Sequence, residues 1–361
     1  MKTPLPKRAM ITALIVFLMV TVTGAQAEEV EKDITFIDTL YSVTMNKASE
    51  TWCCGFNGII YYSGDGGEKW VKQETQTKKT LFKVVSLDAK NLVACGQGGT
   101  VLRTVDGGKR WNKVETPLNI ALMDMSFEDT QVGCAVGDRS GVLRTGDGGV
   151  TWEKGIILKD PLADNSDESE DDFNPLLEDG DDTEKEFVIY GVSLADRNIG
   201  YAAGEFGIFL KTTNGGKTWT KITVEEAEGK SIFGVFAQSP KRVWVVGIDG
   251  MMLLSEDGGE SWKRIDSSVT KHLFAVKFKG RLGYAIGKEG IYLKSNDNGD
   301  TWELINIGAK FYLQDIELIK DAGWIVGAHG WLYETRNGGK SFNVVRSSPS
   351  GVIPLALGRL F

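Results

Sequence analysis

Few side chains in this sequence are equipped for chemistry, and their spacing limits what they could do. The two histidines, His272 and His329, lie far apart and without metal-ligand spacing. No Gly-x-Ser-x-Gly elbow offers a nucleophile for either to activate. Each is expected on a loop or at a strand end. The arginines form no obvious set for gripping a carboxylate. Acidic residues are concentrated in one run, 159–187, with 13 acidic and 2 basic residues. Its segments "DESEDD" and "EDGDDT" lack the alternating Asp spacing of a calcium loop. No cofactor, metal site or catalytic residue is therefore expected. The rest of the chain beyond the leader is close to neutral, which gives no basic face for nucleic acid.

The strongest pattern is a repeated turn. An eight-residue stretch recurs as "SGDGGEKW" from Ser63, "TVDGGKRW" from Thr104, "TGDGGVTW" from Thr145, "TTNGGKTW" from Thr212, "SEDGGESW" from Ser255, "SNDNGDTW" from Ser295 and "TRNGGKSF" from Thr335. Position one is always Ser or Thr. Position three is Asp65, Asp106, Asp147, Asn214, Asp257, Asp297 or Asn337, a short oxygen acceptor expected to bond backbone N–H groups two residues on. Asn serves that purpose as well as Asp but could not replace a catalytic acid, so the position reads as structural. Position eight is Trp70, Trp111, Trp152, Trp219, Trp262, Trp302 or Phe342, an aromatic expected to cover the hairpin base.

These turns need elements to position them. Their starts are separated by 41, 41, 67, 43, 40 and 40 residues, and the long interval contains the acidic run. Around each turn lie four short strand-like segments bounded by glycines, as in "LFKVVSL", "NLVACG", "TVLRT" and "WNKVE". The fold expected is all-β: a seven-bladed β-propeller of four-stranded antiparallel blades, with the turn between strands three and four of each blade. The blades are placed at about 39–75, 79–116, 119–156, 187–224, 230–266, 271–307 and 311–347 of one domain, 28–361, with an acidic insertion at 159–187. Segments 34–37 and 351–361 are left over and could latch the ring. Residues 1–27 carry Lys2, Lys7 and Arg8, then an apolar stretch and a small-residue site ending at Ala27, the pattern of a cleaved signal peptide. Its removal takes the chain from 361 to 334 residues and from net charge −8 to −11.

Comparison between repeats yields two further expectations. Cys53, Cys54, Cys95 and Cys134 all fall on second strands. Cys53 and Cys95 have the opposite parity a bridge between blades one and two needs, provided Cys53 points toward blade two. Stacked sheets stand about 10 Å apart, so buried free thiols are expected instead. On the first strands, Tyr41, Phe82, Met123, Tyr190, Phe233, Phe274 and Gln314 occupy equivalent positions. They are expected to wedge between blades, with lining a channel mouth as the alternative.

The stretches "CGQGGTVLRTVDGGKRW", "VGDRSGVLRTGDGGVTW", "AGEFGIFLKTTNGGKTW" and "VGIDGMMLLSEDGGESW" carry a family resemblance. The repeated turn is the Asp box, and the chain resembles the photosystem II assembly and stability factor family from about Thr39 to Arg346. The resemblance implies an exported seven-bladed propeller without catalysis that binds membrane-protein subunits during assembly. Photosynthetic members use an arginine-rich face. Here the equivalent third-strand positions are Tyr62, Arg103, Arg144, Lys211, Leu254, Lys294 and Glu334. The resemblance therefore suggests a non-photosynthetic bacterial relative acting on another envelope complex. Sialidases also share the turn and need an arginine triad, a Tyr–Glu nucleophile pair and an acid Asp. They have six blades and an "RIP"-type segment near the N-terminus, whereas this sequence has seven repeats, no such segment and no arginine set that stands out.

The functional expectation is a non-catalytic, exported, monomeric scaffold, periplasmic or secreted, that binds a membrane-complex subunit. It would not span the membrane once the signal is removed. A carbohydrate-active or carbohydrate-binding protein is the alternative. Candidate partner-binding residues are Arg103, Arg144 and Lys211 on the third strands. Phe173, Leu176 and Leu177 join them as an apolar island within the acidic insertion.

Overall fold

The repeated turn builds the architecture. A computed structural model describes residues 39–158 and 186–346. In it every turn closes with the same three hydrogen bonds. The position-one hydroxyl donates to the position-three oxygen, at 2.9 Å from Ser63 to Asp65 and 3.1 Å from Thr212 to Asn214. That hydroxyl also accepts the position-five N–H, at 2.8 Å from Gly67 and 2.9 Å from Gly216. The position-three oxygen accepts the position-seven N–H, at 3.0 Å from Lys69 and 2.9 Å from Thr218. The acceptor thus reaches four residues on, not two, because the turn is wider than a simple Asx turn. The other five copies repeat the set.

The two asparagines fit by reversing one bond. Asn214 donates its amide to the Thr218 hydroxyl and Asn337 to the Ser341 hydroxyl, both at 2.8 Å. In blade three the hydroxyl is the donor, from Thr151 to Asp147 at 2.6 Å. A hydroxyl can play either part, so amide and carboxylate both work.

Each blade is a four-stranded antiparallel sheet in simple order. Blade one comprises Leu40–Lys47, Glu50–Gly55, Ile60–Ser63 and Val71–Gln73. The first strands of the next six are Leu81–Ser86, Leu122–Phe127, Ile189–Leu194, Ile232–Ala237, Leu273–Lys279 and Leu313–Ile319. Blade four gains a fifth, parallel strand, Ile156–Ile157, on its outer edge beside Thr218–Lys221. The repeat had placed Ile156 at the end of blade three. Gly155 lets the chain cross, since a Cβ there would meet the Gly216 carbonyl at 2.6 Å. The chain re-enters at Glu186, beside Arg139.

The core lies between blades. Seven apolar clusters each straddle two neighbouring blades, and each holds one position-eight aromatic. These aromatics therefore plug the seams and do more than cover their own hairpins. Trp70 meets Trp324 of blade seven at 5.2 Å, Trp302 meets Trp244 of blade five at 5.9 Å, and Phe342 meets Tyr292 of blade six at 5.1 Å. Burial of each such ring contributes on the order of 3 kcal/mol. Close approach also explains position five. A Cβ on Gly67 would stand 2.2 Å from the Trp324 ring.

Second-strand side chains alternate between the two seams they border. Cys53 belongs to the cluster shared with blade seven, Cys54 to that shared with blade two, and Cys95 to that shared with blade three. Cys53 and Cys95 have the opposite parity expected, but Cys53 points toward blade seven and Cys95 toward blade three, so they face away from each other and the proviso for a bridge fails. All four cysteines are free and buried.

Every blade is contiguous in sequence, and among the described residues no strand is exchanged between the last blade and the first. Segments 1–27, 34–37 and 351–361 lie outside the described residues, as do Phe173, Leu176 and Leu177. Among the described residues, no helix is long and apolar enough to cross a membrane.

The ring has two faces. One bears the Asp boxes and the turns between first and second strands, joined by bonds such as Gly66 N–H to Ser49 O at 3.0 Å. The opposite face bears the connections between blades and the short turns after second strands, such as Phe56–Gly58 and Glu205–Gly207.

Candidate functional site

The seven first strands surround a central cavity of about 430 Å³. Among the described residues their inner edges have no strand partner, so their N–H groups need other acceptors. Side chains of the preceding blade supply them. Val84 N–H donates to Ser42 at 3.4 Å, Ser86 to Thr44 at 3.2 Å, Val192 to Asp124 at 3.0 Å, Leu194 to Ser126 at 3.1 Å and Ala237 to Ser193 at 3.0 Å. Across the closing seam, Val43 N–H donates to Asp315 at 3.2 Å. The polar channel wall follows from this requirement.

Charges add to it. Lys83 lies 3.1 Å from Asp124 and 3.6 Å from Asp315. Lys277 lies 2.8 Å from Asp315 and 3.0 Å from Glu317. Burial alone would raise the Asp315 carboxyl, but Lys277, Lys83 and the Ser42 hydroxyl outweigh it and hold its pKa at about 2. Burial opposes the Lys83 charge too, yet Asp124 and Asp315 reverse the effect and hold it above the ordinary lysine value. Three carboxylates and two ammoniums form one ion-paired belt.

Above the belt, toward the face opposite the Asp boxes, stands a ring of half-buried side chains: Tyr41, Phe82, Met123, Tyr190, Phe233, Phe274 and Gln314. They line the cavity mouth and do not wedge between blades. The cause is a register irregularity early in each first strand, for example between Leu40 and Ser42, Ile189 and Gly191, and Leu313 and Asp315. Such a bulge re-aims a side chain that strict alternation would send into a seam. Neighbouring rings meet at 5.3 Å between Tyr41 and Phe82, 5.4 Å between Tyr190 and Phe233, and 5.7 Å between Phe233 and Phe274. Both histidines lie on this face. His272 accepts the Asp249 N–H at 3.0 Å, and His329 packs on Phe311 at 4.9 Å.

The basic third-strand residues act between blades. Arg103 donates to the Gly148 carbonyl at 2.9 Å, Arg144 to Gly215 at 3.0 Å, Lys211 to Gly258 at 2.8 Å and Lys294 to Gly338 at 2.8 Å. Each acceptor is position four of the next blade's Asp box. Arg103, Arg144 and Lys211 are thus distributed around the ring as clasps on the Asp-box side. The mouth and belt lie elsewhere. Lys83, Asp124, Lys277, Asp315 and Glu317 escaped sequence reading, although aligned first strands place Lys83, Asp124 and Asp315 at one register position and Lys277 and Glu317 two further on.

Seven contiguous blades, Asp-box clasps and a lined channel define an Asp-box β-propeller. The chain belongs to the family described as photosynthesis system II assembly factor YCF48, whose model matches residues 22–118, 109–227, 180–270, 230–312 and 269–351. The rice chloroplastic photosystem II stability/assembly factor HCF136 is 34% identical over 67 residues, 19% of this chain and 16% of that protein. The matched stretch therefore spans less than a fifth of this curated relative. A solved structure of YCF48 bound to D1 peptide is 16% identical, covers 83% of this chain and 93% of that one, and has a TM-score of 0.64. YCF48 from Cyanidioschyzon merolae is 20% identical over 84% of this chain and 97% of that one, also at 0.64. The GH74 xyloglucanase from Xanthomonas campestris is 11% identical over 88% of this chain and 55% of that one, at 0.67. At these identities the likenesses concern fold.

Proposed function

We propose that the protein is a non-catalytic assembly or stability factor that binds a protein subunit of an envelope membrane complex. It acts as an exported, periplasmic monomer. The family match along the whole described ring carries this reading, and the existence of a D1 peptide complex of YCF48 supports a peptide-like ligand. The aromatic mouth is the surface best suited to a partner, and the sequence of the acidic insertion adds Phe173, Leu176 and Leu177 as candidate contacts. Crosslinking followed by affinity purification from the native envelope tests the reading. Recovery of a membrane-protein subunit is the expected result, whereas recovery of glycans alone would overturn it. Loss of that subunit after deletion of 160–185 would place the contact on the insertion; unchanged recovery would remove the insertion from the proposal.

The carbohydrate-active alternative draws on the shared fold with the xyloglucanase. It needs a carboxylic acid that stays protonated near neutral pH beside a second carboxylate. In the channel, Asp315 is held the opposite way, fully ionised between two lysines. This favours binding over hydrolysis.

A further inference from the structure

We infer that the mouth of the channel is a docking pocket for a cationic side chain, the lysine or arginine of an extended partner segment. The inference deepens the assembly-factor reading and takes from it that the partner is a protein.

Charge is the first support. The belt holds Asp124, Asp315 and Glu317 against Lys83 and Lys277, a formal excess of one negative charge between apolar walls that focus its field. Glu317 is the most accessible of the three carboxylates. The second support is the mouth itself. Tyr190, Phe233 and Phe274 form an unbroken arc of rings inclined at 58° and 64° to one another. Aromatic faces carry partial negative charge and favour ammonium and guanidinium groups. The third is space. At the register where other blades carry Lys83, Asp124 and Asp315, blades four and five have Gly191 and Gly234. A Cβ at Gly191 or Gly234 would meet the first strand of the next blade, at 3.4 and 2.7 Å, so these glycines let the blades close up and add no side chain to the channel. The room for a long side chain is the cavity of about 430 Å³ that the arc and the belt line.

The rim adds a fourth support. Phe206 is 70% exposed on this face, with a left-handed φ of 53°. The equivalent turns carry Asn57, Gly98, Asp249, Glu289 and His329, so the fold does not ask for a bulky apolar residue there. A strained, exposed phenylalanine is the kind of feature retained for contact with another molecule.

Calorimetric titration of the full chain with the blocked peptide acetyl-Gly-Gly-Arg-Phe-Gly-Gly-amide tests the inference. Matched peptides carry citrulline or glutamate in place of arginine. The arginine peptide is expected to bind at least ten-fold more tightly than either. Phe233→Ala and Glu317→Gln are each expected to weaken it at least five-fold. Gln314→Lys, which adds a cation to the mouth without touching the belt, is expected to abolish binding while circular dichroism and melting stay unchanged. Equal affinity for arginine and citrulline peptides, preference for glutamate, or no binding of the arginine peptide would overturn the inference. None of these results bears on recovery of an envelope subunit, which tests the assembly-factor reading separately.

Discussion

The Lys277 ammonium lies 2.8 Å from the Asp315 carboxylate, and the Ser42 hydroxyl reaches the same carboxylate at 2.9 Å from across the seam between the last and first blades. One carboxylate thus pairs with the lysines of the channel wall and bonds across the closing seam.

This arrangement predicts an acid-sensitive stability. The Asp315 pKa is about 2 in the fold against an ordinary 3.8. A carboxyl lowered on folding contributes stability that is complete above its unfolded value and lost as pH falls through its folded value. Urea unfolding is expected to show a loss on the order of 2 kcal/mol between about pH 4 and pH 2. In Asp315→Asn that part of the slope should vanish. Stability near neutrality should drop by about 2–3 kcal/mol, because two half-buried lysines each lose one of their two carboxylates, Lys83 keeping Asp124 and Lys277 keeping Glu317. An acid slope unchanged in the variant would contradict the assignment.

The closing seam predicts a second effect. Trp324→Ala removes the ring that Trp70 and Gly67 enclose, and is expected to cost about 3–5 kcal/mol in equilibrium unfolding. Val344→Ala, at an exposed site on the fourth strand of the same blade, is the control and should shift stability by less than about 0.5 kcal/mol.

The reversed bond in the asparagine turns predicts an asymmetry. Thr218→Val leaves the Asn214 amide without its acceptor and should cost about 1 kcal/mol. Adding Asn214→Asp to that variant removes the orphaned donor, so the double variant should recover part of the loss. A double variant weaker than Thr218→Val alone would show that the amide donor is unimportant.

The clasps predict a separation of stability from binding. Arg103→Met and Arg144→Met each lose a charged donor to a turn carbonyl. Each is expected to cost about 1.5–3 kcal/mol in urea unfolding. Neither should reduce recovery of the envelope partner once the protein is folded. A selective loss of partner with unchanged stability would return these residues to a binding role.

Much of the ring was legible because its turn chemistry is local. Ser63, Asp65 and Gly67 satisfy one another within five residues, so the same letters recur wherever the same hairpin is tied. The channel was not legible for two reasons. A bulge beside Tyr41 and its equivalents breaks the alternation that sequence reading depends on. The belt also assembles residues with no sequence proximity: Lys83 meets Asp315 only because seven first strands converge on one axis. The clasps escaped for a similar reason, since Arg144 finds its acceptor at Gly215, beyond the acidic insertion.

The contiguity of every blade also has a mechanical consequence. Six of the seven seams are crossed by the chain itself, but the seam between Trp324 and Trp70 is held, among the described residues, by side chains and single hydrogen bonds. The contacts among the described residues make that seam the one expected to yield first under tension applied between blade seven and blade one. It would yield before any blade lost a strand, so the ring would open as a linear array of intact sheets.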